Sequence, residues 1–440
     1  MIRRDFLTEP ADPAPIALFR IFFGFLMGIE VLRYWAYGRI ERYYIEPEFL
    51  FPFVEGIGSV GEGMYLVFVL MGVSAVFLAI GFHYRAASIV FFILYTYTFL
   101  LDKAQYNNHY YLICLLGFLF VMTDSHRTLS VDAWRRNLAC RVPAWQVHVF
   151  RLQFCIVFLY AGIAKLNPDW LAGEPVRSWL AAKSHYFAIG PLLVKEWFVY
   201  LYAYAGLVFD LCIGFMLLWP PTRSIGLVLL IGFNFLNKWF YNIGIFPYLT
   251  VAAFAVFMDA STIRSIPHRW SESGIGRRTA SLFRVLARRR SGSRARGYVV
   301  LVFVLLQLLV PLRHFLIPGN VSWTDEGHNF SWRMKLRDKS VREIRFFTKD
   351  PHSGRIRELS TEDLTRRQKM KMAARPHMIL QYARHLAERL RQEGIDSPAI
   401  YARALVSLNS GETRPLIDQS VNLAEAEYKL FGHNDWITLY

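Results

Sequence analysis

Lys165 closes an apolar run, Val157 to Leu166, and Asn167-Pro168 directly after it stops a helix. A cation inside a membrane-length apolar segment costs about 2.5–3.5 kcal/mol on insertion scales, and side chains that carry this cost usually serve a site. A lysine amine desolvated in an apolar pocket is a competent base near neutral pH. The segment alone fits better a side chain that lifts its ammonium to the interface, and the rest of the chain shifts the balance. Asn107-Asn108-His109 offers a second polar cluster at the start of another apolar run. Its histidine can hydrogen-bond or shuttle a proton, and its amides can hold a phenolic or carbonyl oxygen. A pocket of this kind at bilayer depth suits a lipid-soluble substrate that enters sideways from the membrane.

Other chemistries lack their residues. There is no phosphate-cradling glycine loop, no zinc-type Cys/His spacing and no nucleophile elbow, and no metal site is expected. Gly56 to Gly61 has a GxGxxG look without a preceding strand and reads as an outer loop. His83, His126, His148 and His185 fall near helix ends, where interfacial packing accounts for them. Three of the four cysteines, Cys114, Cys155 and Cys212, lie in apolar segments and Cys140 in a basic loop, so no disulfide framework is implied.

The elements that must position these groups are membrane helices. The 440 residues are 54% hydrophobic and 16% aromatic, values of a polytopic membrane protein. Apolar segments at about 15–37, 63–81, 85–101, 110–123, 146–166, 196–219, 224–241, 243–258 and 298–316 predict roughly nine spans. Arg20, Glu30 and Arg33 within the first call for polar pairing inside a bundle. Much of the net charge of +16 sits in one block, Arg264 to Arg296, which reads as a loop on anionic headgroups rather than a nucleic-acid site. Met1-Ile-Arg-Arg precedes the first span without a small-residue cleavage site, so that span is expected to stay. Placing the strongly basic loops inside puts Asn107 to His109, Lys165, Asn237, Asn242 and residues 317–440 on the outer side. The expected fold is mainly α: a transmembrane helical bundle over 1–316, then a small extracytoplasmic α+β domain over 317–440. In that domain Ser331 to Leu336 alternates as a strand would, and Ile344–Thr348 and Arg355–Leu359 read as a hairpin. Ser360 or Thr361 is the expected cap of a helix through Met370. Pro376 to Arg391 has helical spacing, and Ala399 to Leu408 is a strand candidate.

At these residues the chain resembles the vitamin K-dependent gamma-glutamyl carboxylase family, in its bacterial, HTTM-domain form. Asp102 to Leu112 is similar to the family's Asn-Asn-His-x-Tyr-Leu segment, and Thr123-Asp124-x-His126 with Ser130-Val131-Asp132 to the segment that follows. Ala161 to Leu166 with Asp169-Trp170 resembles the segment that carries the catalytic lysine; Ala164 replaces the first of two adjacent lysines, and Lys165 keeps the second. Ile243 to Phe246, Phe330 to Met334, His377 to Ala383 and Ser407-Leu408-Asn409 resemble further segments in the same order. The tail is shorter than in the animal enzymes, which puts a propeptide-binding region of their kind in doubt. Asn234 replaces a histidine. An arginine of those enzymes falls at Ala181 here, and Arg177, one helical turn earlier, is the candidate to take its place.

The resemblance implies an integral-membrane enzyme that couples oxygenation of a reduced naphthoquinone of the vitamin K or menaquinol type to its epoxide with carboxylation of glutamyl residues. Dioxygen and carbon dioxide are the co-substrates. It assigns Lys165 as the base and His109 beside it. Asn107, Asn108 and Asn242 are the candidates to hold the quinol, and Trp332, Arg333 and Arg177 those to hold the glutamyl substrate. Replacing Lys165 is expected to leave folding nearly intact. Implied partners are the bilayer, a glutamyl-containing peptide or protein and a quinone reductase that recycles the cofactor, with a bacterial inner membrane as the location. Two other readings fit the same residues: a quinol epoxidase or oxygenase with a different acceptor, and a non-enzymatic lipid-binding membrane protein with an external interaction domain.

Overall fold

The computed structural model describes residues 9–138, 140–186, 189–241, 244–270, 294–349 and 354–440. It is mainly helical. Six of the expected spans form helices long and apolar enough to cross a membrane: Ala14–Ala36, Gly63–Ile80, Tyr84–Leu101, Trp145–Lys165, Glu196–Leu218 and Arg294–Leu316. Asn108–Met122 and Phe246–Phe257 are apolar but shorter. Arg223–Tyr241 is a helix of 19 residues, but Asn234, Asn237 and Lys238 dilute its apolar character. By length and composition, then, six helices among the described residues meet the spanning condition, where nine were expected. The basic block and the hairpin turn at 350–353 lie largely outside the described residues.

The bundle closes on aromatic packing. Phe19 of the first helix meets Phe120, Phe150 and Phe154 at ring separations of 5.7, 5.8 and 5.7 Å. Gly24 lets the second helix approach, since a Cβ there would lie 2.6 Å from the Ala75 carbonyl. The charges of the first span find partners as polar groups in a dry bundle must. Arg20 donates to the carbonyls of Leu78 and Leu129, and Arg33 pairs with Glu30 at 2.7 Å.

The tail carries a four-stranded antiparallel sheet in the order Ile356–Leu359, Lys339–Lys349, Ala399–Leu408, Arg414–Pro415. Alternate residues of the long strand, Ile400, Ala402, Ala404, Val406 and Leu408, are buried. They share a core with the apolar face of Pro376–Gln392, which Gly394 follows at φ 94°. Two expectations for the tail fail. The helix expected to start at Ser360 or Thr361 is capped by Thr365, in a capping box with Gln368, and runs over Arg366–Ala373. Ser331 to Leu336 is no strand: Phe330, Trp332 and Lys335 have φ of 65°, 55° and 50°, which a ladder does not accept. The alternation there reflects a chain that winds between bundle and tail, sending Trp332 into the bundle core.

The tail helices are seated on the loops of the bundle. Gln368 donates to the Phe49 carbonyl at 2.7 Å, Lys103 to Gln381 at 2.7 Å, and Arg375 to the Lys103 carbonyl at 2.9 Å. Phe51 and Ala104 belong to the tail's apolar core.

Candidate active site

Lys165 is the last residue of the Trp145–Lys165 helix. Asn167 then caps the next turn by accepting from the Trp170 N–H at 3.0 Å, and its amide returns to the Ala164 carbonyl at 2.8 Å. The chain end so fixed leaves the lysine pointing along its own helix into the protein. Its ammonium donates to the Ala161 carbonyl at 3.4 Å and to the Asp210 carboxylate, and the two side chains are only 7% and 5% exposed. The Trp170 ring centroid is 5.2 Å from the ammonium, and the indole N–H is anchored on the Ala203 carbonyl at 3.0 Å. Asp210 belongs to Glu196–Leu218, and this helix comes close because Gly162 has no side chain: a Cβ there would meet Leu211 at 2.7 Å. The glycine one turn before the lysine therefore permits the approach that joins the pair.

Lys165 and Asp210 open onto a cavity of about 620 Å³, lined also by Asn107, Asn108, His109 and Arg333. Aromatic side chains, Phe158, Trp170 and Phe246, complete its apolar walls. Asn107 precedes the Asn108–Met122 helix, Asn108 and His109 are its first two residues, and the His109 ring lies 6.1 Å from that of Phe246. The Asn108 amide is partly engaged: it accepts from the Tyr106 hydroxyl at 2.9 Å and donates to the Arg333 carbonyl at 3.1 Å. One N–H and one lone pair remain for a ligand.

Part of the cavity wall is basic. Arg333, Lys335, Arg337, Lys371 and Arg375 all line the cavity. Arg333 is buried, and burial pushes its guanidinium down to about 10. Its contacts are long ones, to His314 and to Ser322, each at 3.4 Å, and its Nε has no partner. Among the described residues it makes no ion pair with a carboxylate. Arg337, by contrast, is committed to Asp325, which Lys339 also approaches at 3.6 Å. These cations hold the buried Asp325 carboxyl well below the usual carboxylate range against the opposing effect of burial, and burial pushes the Lys339 ammonium down to about 7.

The other candidates are distributed differently. Trp332 is fully buried against Tyr111, ring centroids 5.2 Å apart, and is packed in the bundle core rather than at the cavity mouth. The structure does not bring Arg177 to the cavity: its guanidinium is taken up by Glu174 and by both oxygens of Glu196, at 3.0 and 2.9 Å. Its side chain stands on a short helix, Val176–Ala181, that faces those two carboxylates. Asn242 lies outside the described residues, whereas Asn237 lines the cavity. Asn234 is buried between helices, accepting from Thr250 at 2.8 Å. Sequence reasoning missed Asp210 and the basic wall. The signal for Asp210 was present, because one carboxylate inside an apolar span calls for a buried cation as partner.

Two family matches accompany this geometry. The HTTM domain family matches residues 8–261. The lumenal domain of vitamin K-dependent gamma-carboxylase matches residues 293–440, a region that includes the Arg294–Leu316 helix as well as the tail. No solved structure matches the chain. With one match over the bundle that holds Lys165 and the other over the segment that supplies the basic wall, the chain belongs to the vitamin K-dependent gamma-carboxylase family.

Proposed function

We propose that this protein is a membrane-embedded, quinol-dependent carboxylase that acts on glutamyl residues at the outer face of the membrane. The observation that carries the reading is a cavity whose lining brings together a buried lysine, two asparagines, a histidine and a group of basic side chains. The residues present fit a naphthoquinol. The volume of about 620 Å³ accommodates a ring system, the aromatic walls suit its faces, and polar groups stand at one side for its oxygens. When bound with dioxygen, the quinol supplies the strong base that an amine cannot be, one able to remove a γ-proton from glutamate before carbon dioxide adds.

The protein's own residues do the rest. Asp210 lets Lys165 be held in the bundle without net charge. Transfer of one proton within the pair leaves a free amine and a neutral carboxyl, and that amine takes the phenolic proton. His109 and the remaining donor of Asn108 orient the oxygen beside it. Arg333 offers a fork of donors to a carboxylate, and the surrounding cations favour an acidic acceptor.

A glutamyl-containing peptide is thus the acceptor and a quinone reductase the partner that recycles the cofactor. Quinol oxygenation with another acceptor is the second reading, favoured by the engagement of Arg177 with Glu174 and Glu196 rather than with the cavity. Purified protein given reduced naphthoquinone, labelled bicarbonate and a glutamyl peptide should form epoxide and fix label into the peptide. Epoxide without label supports the second reading, and neither product overturns both.

A further inference from the structure

Asn409 joins both walls of the lysine cavity to the tail sheet. It directly follows the strand Ala399–Leu408 and has φ 50°, a left-handed conformation that asparagine accepts more readily than most residues. So placed, its backbone N–H donates to the Asp338 carbonyl at 2.8 Å, and its side-chain oxygen accepts from the Asp338 N–H at 2.9 Å. Asp338 ends the segment that presents Arg333, Lys335 and Arg337 to the cavity. The other end of the same side chain, Nδ2, donates to the Asp169 carboxylate at 3.0 Å. Asp169 belongs to Pro168–Leu171, the turn after the lysine helix, and its neighbour Trp170 lies 5.2 Å from the Lys165 ammonium. Two contacts run alongside: the Ser178 and Ser410 hydroxyls at 3.0 Å, and the Lys335 ammonium 5.8 Å from the Trp179 ring.

We infer that Asn409 is a positioning residue that fixes the separation between the lysine side of the cavity and its acceptor-binding wall. The inference rests on the proposed function. A reactive base made beside Lys165 must reach a carbon held near Arg333, and a misplacement of about 1 Å between reacting groups costs on the order of 100-fold in rate. Without the clamp, the quinol half of the reaction keeps its own residues intact. The acceptor half loses its register, so epoxide forms without matching carboxylation.

The test measures epoxide and fixed label in the same sample of full-length protein. Asn409→Asp sets a second carboxylate against Asp169 while keeping the acceptor for the Asp338 N–H. The ratio of epoxide to carboxylated product should rise by about tenfold or more. Adding D169N to N409D restores a hydrogen bond with donor and acceptor exchanged, and the ratio should return towards that of the unaltered chain. If N409D is too unstable to assay, Asn409→Ala removes the bond without adding charge and carries the same expectation. An unaltered ratio in these variants, or a double variant no better coupled than N409D, overturns the inference alone. A wild-type chain that forms no epoxide overturns the proposed function, and this inference with it.

Discussion

Lys165 donates to Asp210 across the interface of two spanning helices, with both side chains buried in a cavity wall. This changes what removal of the lysine does. A lone buried cation could be deleted at little cost to the fold, but here its deletion strands a carboxylate.

Lys165→Ala should therefore abolish epoxide formation and also destabilise the protein, by about 3–5 kcal/mol as expected when one partner of a buried pair is lost. K165M/D210N should recover most of that stability in a detergent melt and none of the activity. Lys165→Arg keeps a cation for Asp210 but does not release a proton in this range, so it too should be inactive. Ordinary quinol turnover in Lys165→Ala would refute the assigned base.

Arg333→Ala should raise KM for an acidic peptide by about 10-fold or more, the loss of a charge-assisted hydrogen bond, while epoxide formation falls much less. Equal loss of both activities would show that Arg333 serves the fold. Its carbonyl contact with Asn108 is made by the backbone and survives the substitution.

Stability should depend on pH through Lys339. Burial places its ammonium at about 7 in the folded chain, against about 10.4 when unfolded. Between these values the unfolded chain binds more protons, so stability rises with pH from about 7 to 10 and is level below 7 with respect to this group. Lys339→Met should flatten that rise in urea or thermal melts of the full chain. An unchanged slope would mean that Lys339 titrates normally.

The nine-span reading of the loop charges expects the tail on the outer side together with the lysine cavity, and on that reading protease added to intact cells should cut within residues 317–440. Protection of the tail with cleavage in the basic block at 264–296 would invert the orientation and move the cavity to the inner face.

Local features were legible in the sequence. Apolar length announced the six helices long enough to cross a membrane, because a helix must cover the bilayer with apolar side chains. A lysine inside such a length announced a buried, paired side chain, and it lines a cavity. The period of Pro376 to Arg391 and the alternation of Ala399 to Leu408 announced a helix and a strand whose apolar faces share one core. Tertiary structure decided the rest, and in each case the reason is a partner distant along the chain. Asp210 is the partner of Lys165 because Gly162 lets two helices touch. Ser331 to Leu336 carries a strand's alternation, yet Trp332 is buried against Tyr111 and the backbone there turns left-handed. The resemblance offered Arg177 in place of the family arginine that falls at Ala181, but Glu174 and Glu196 claim its guanidinium. Periodicity and hydropathy record what each segment buries; which groups meet inside the buried space depends on how closely the helices pack.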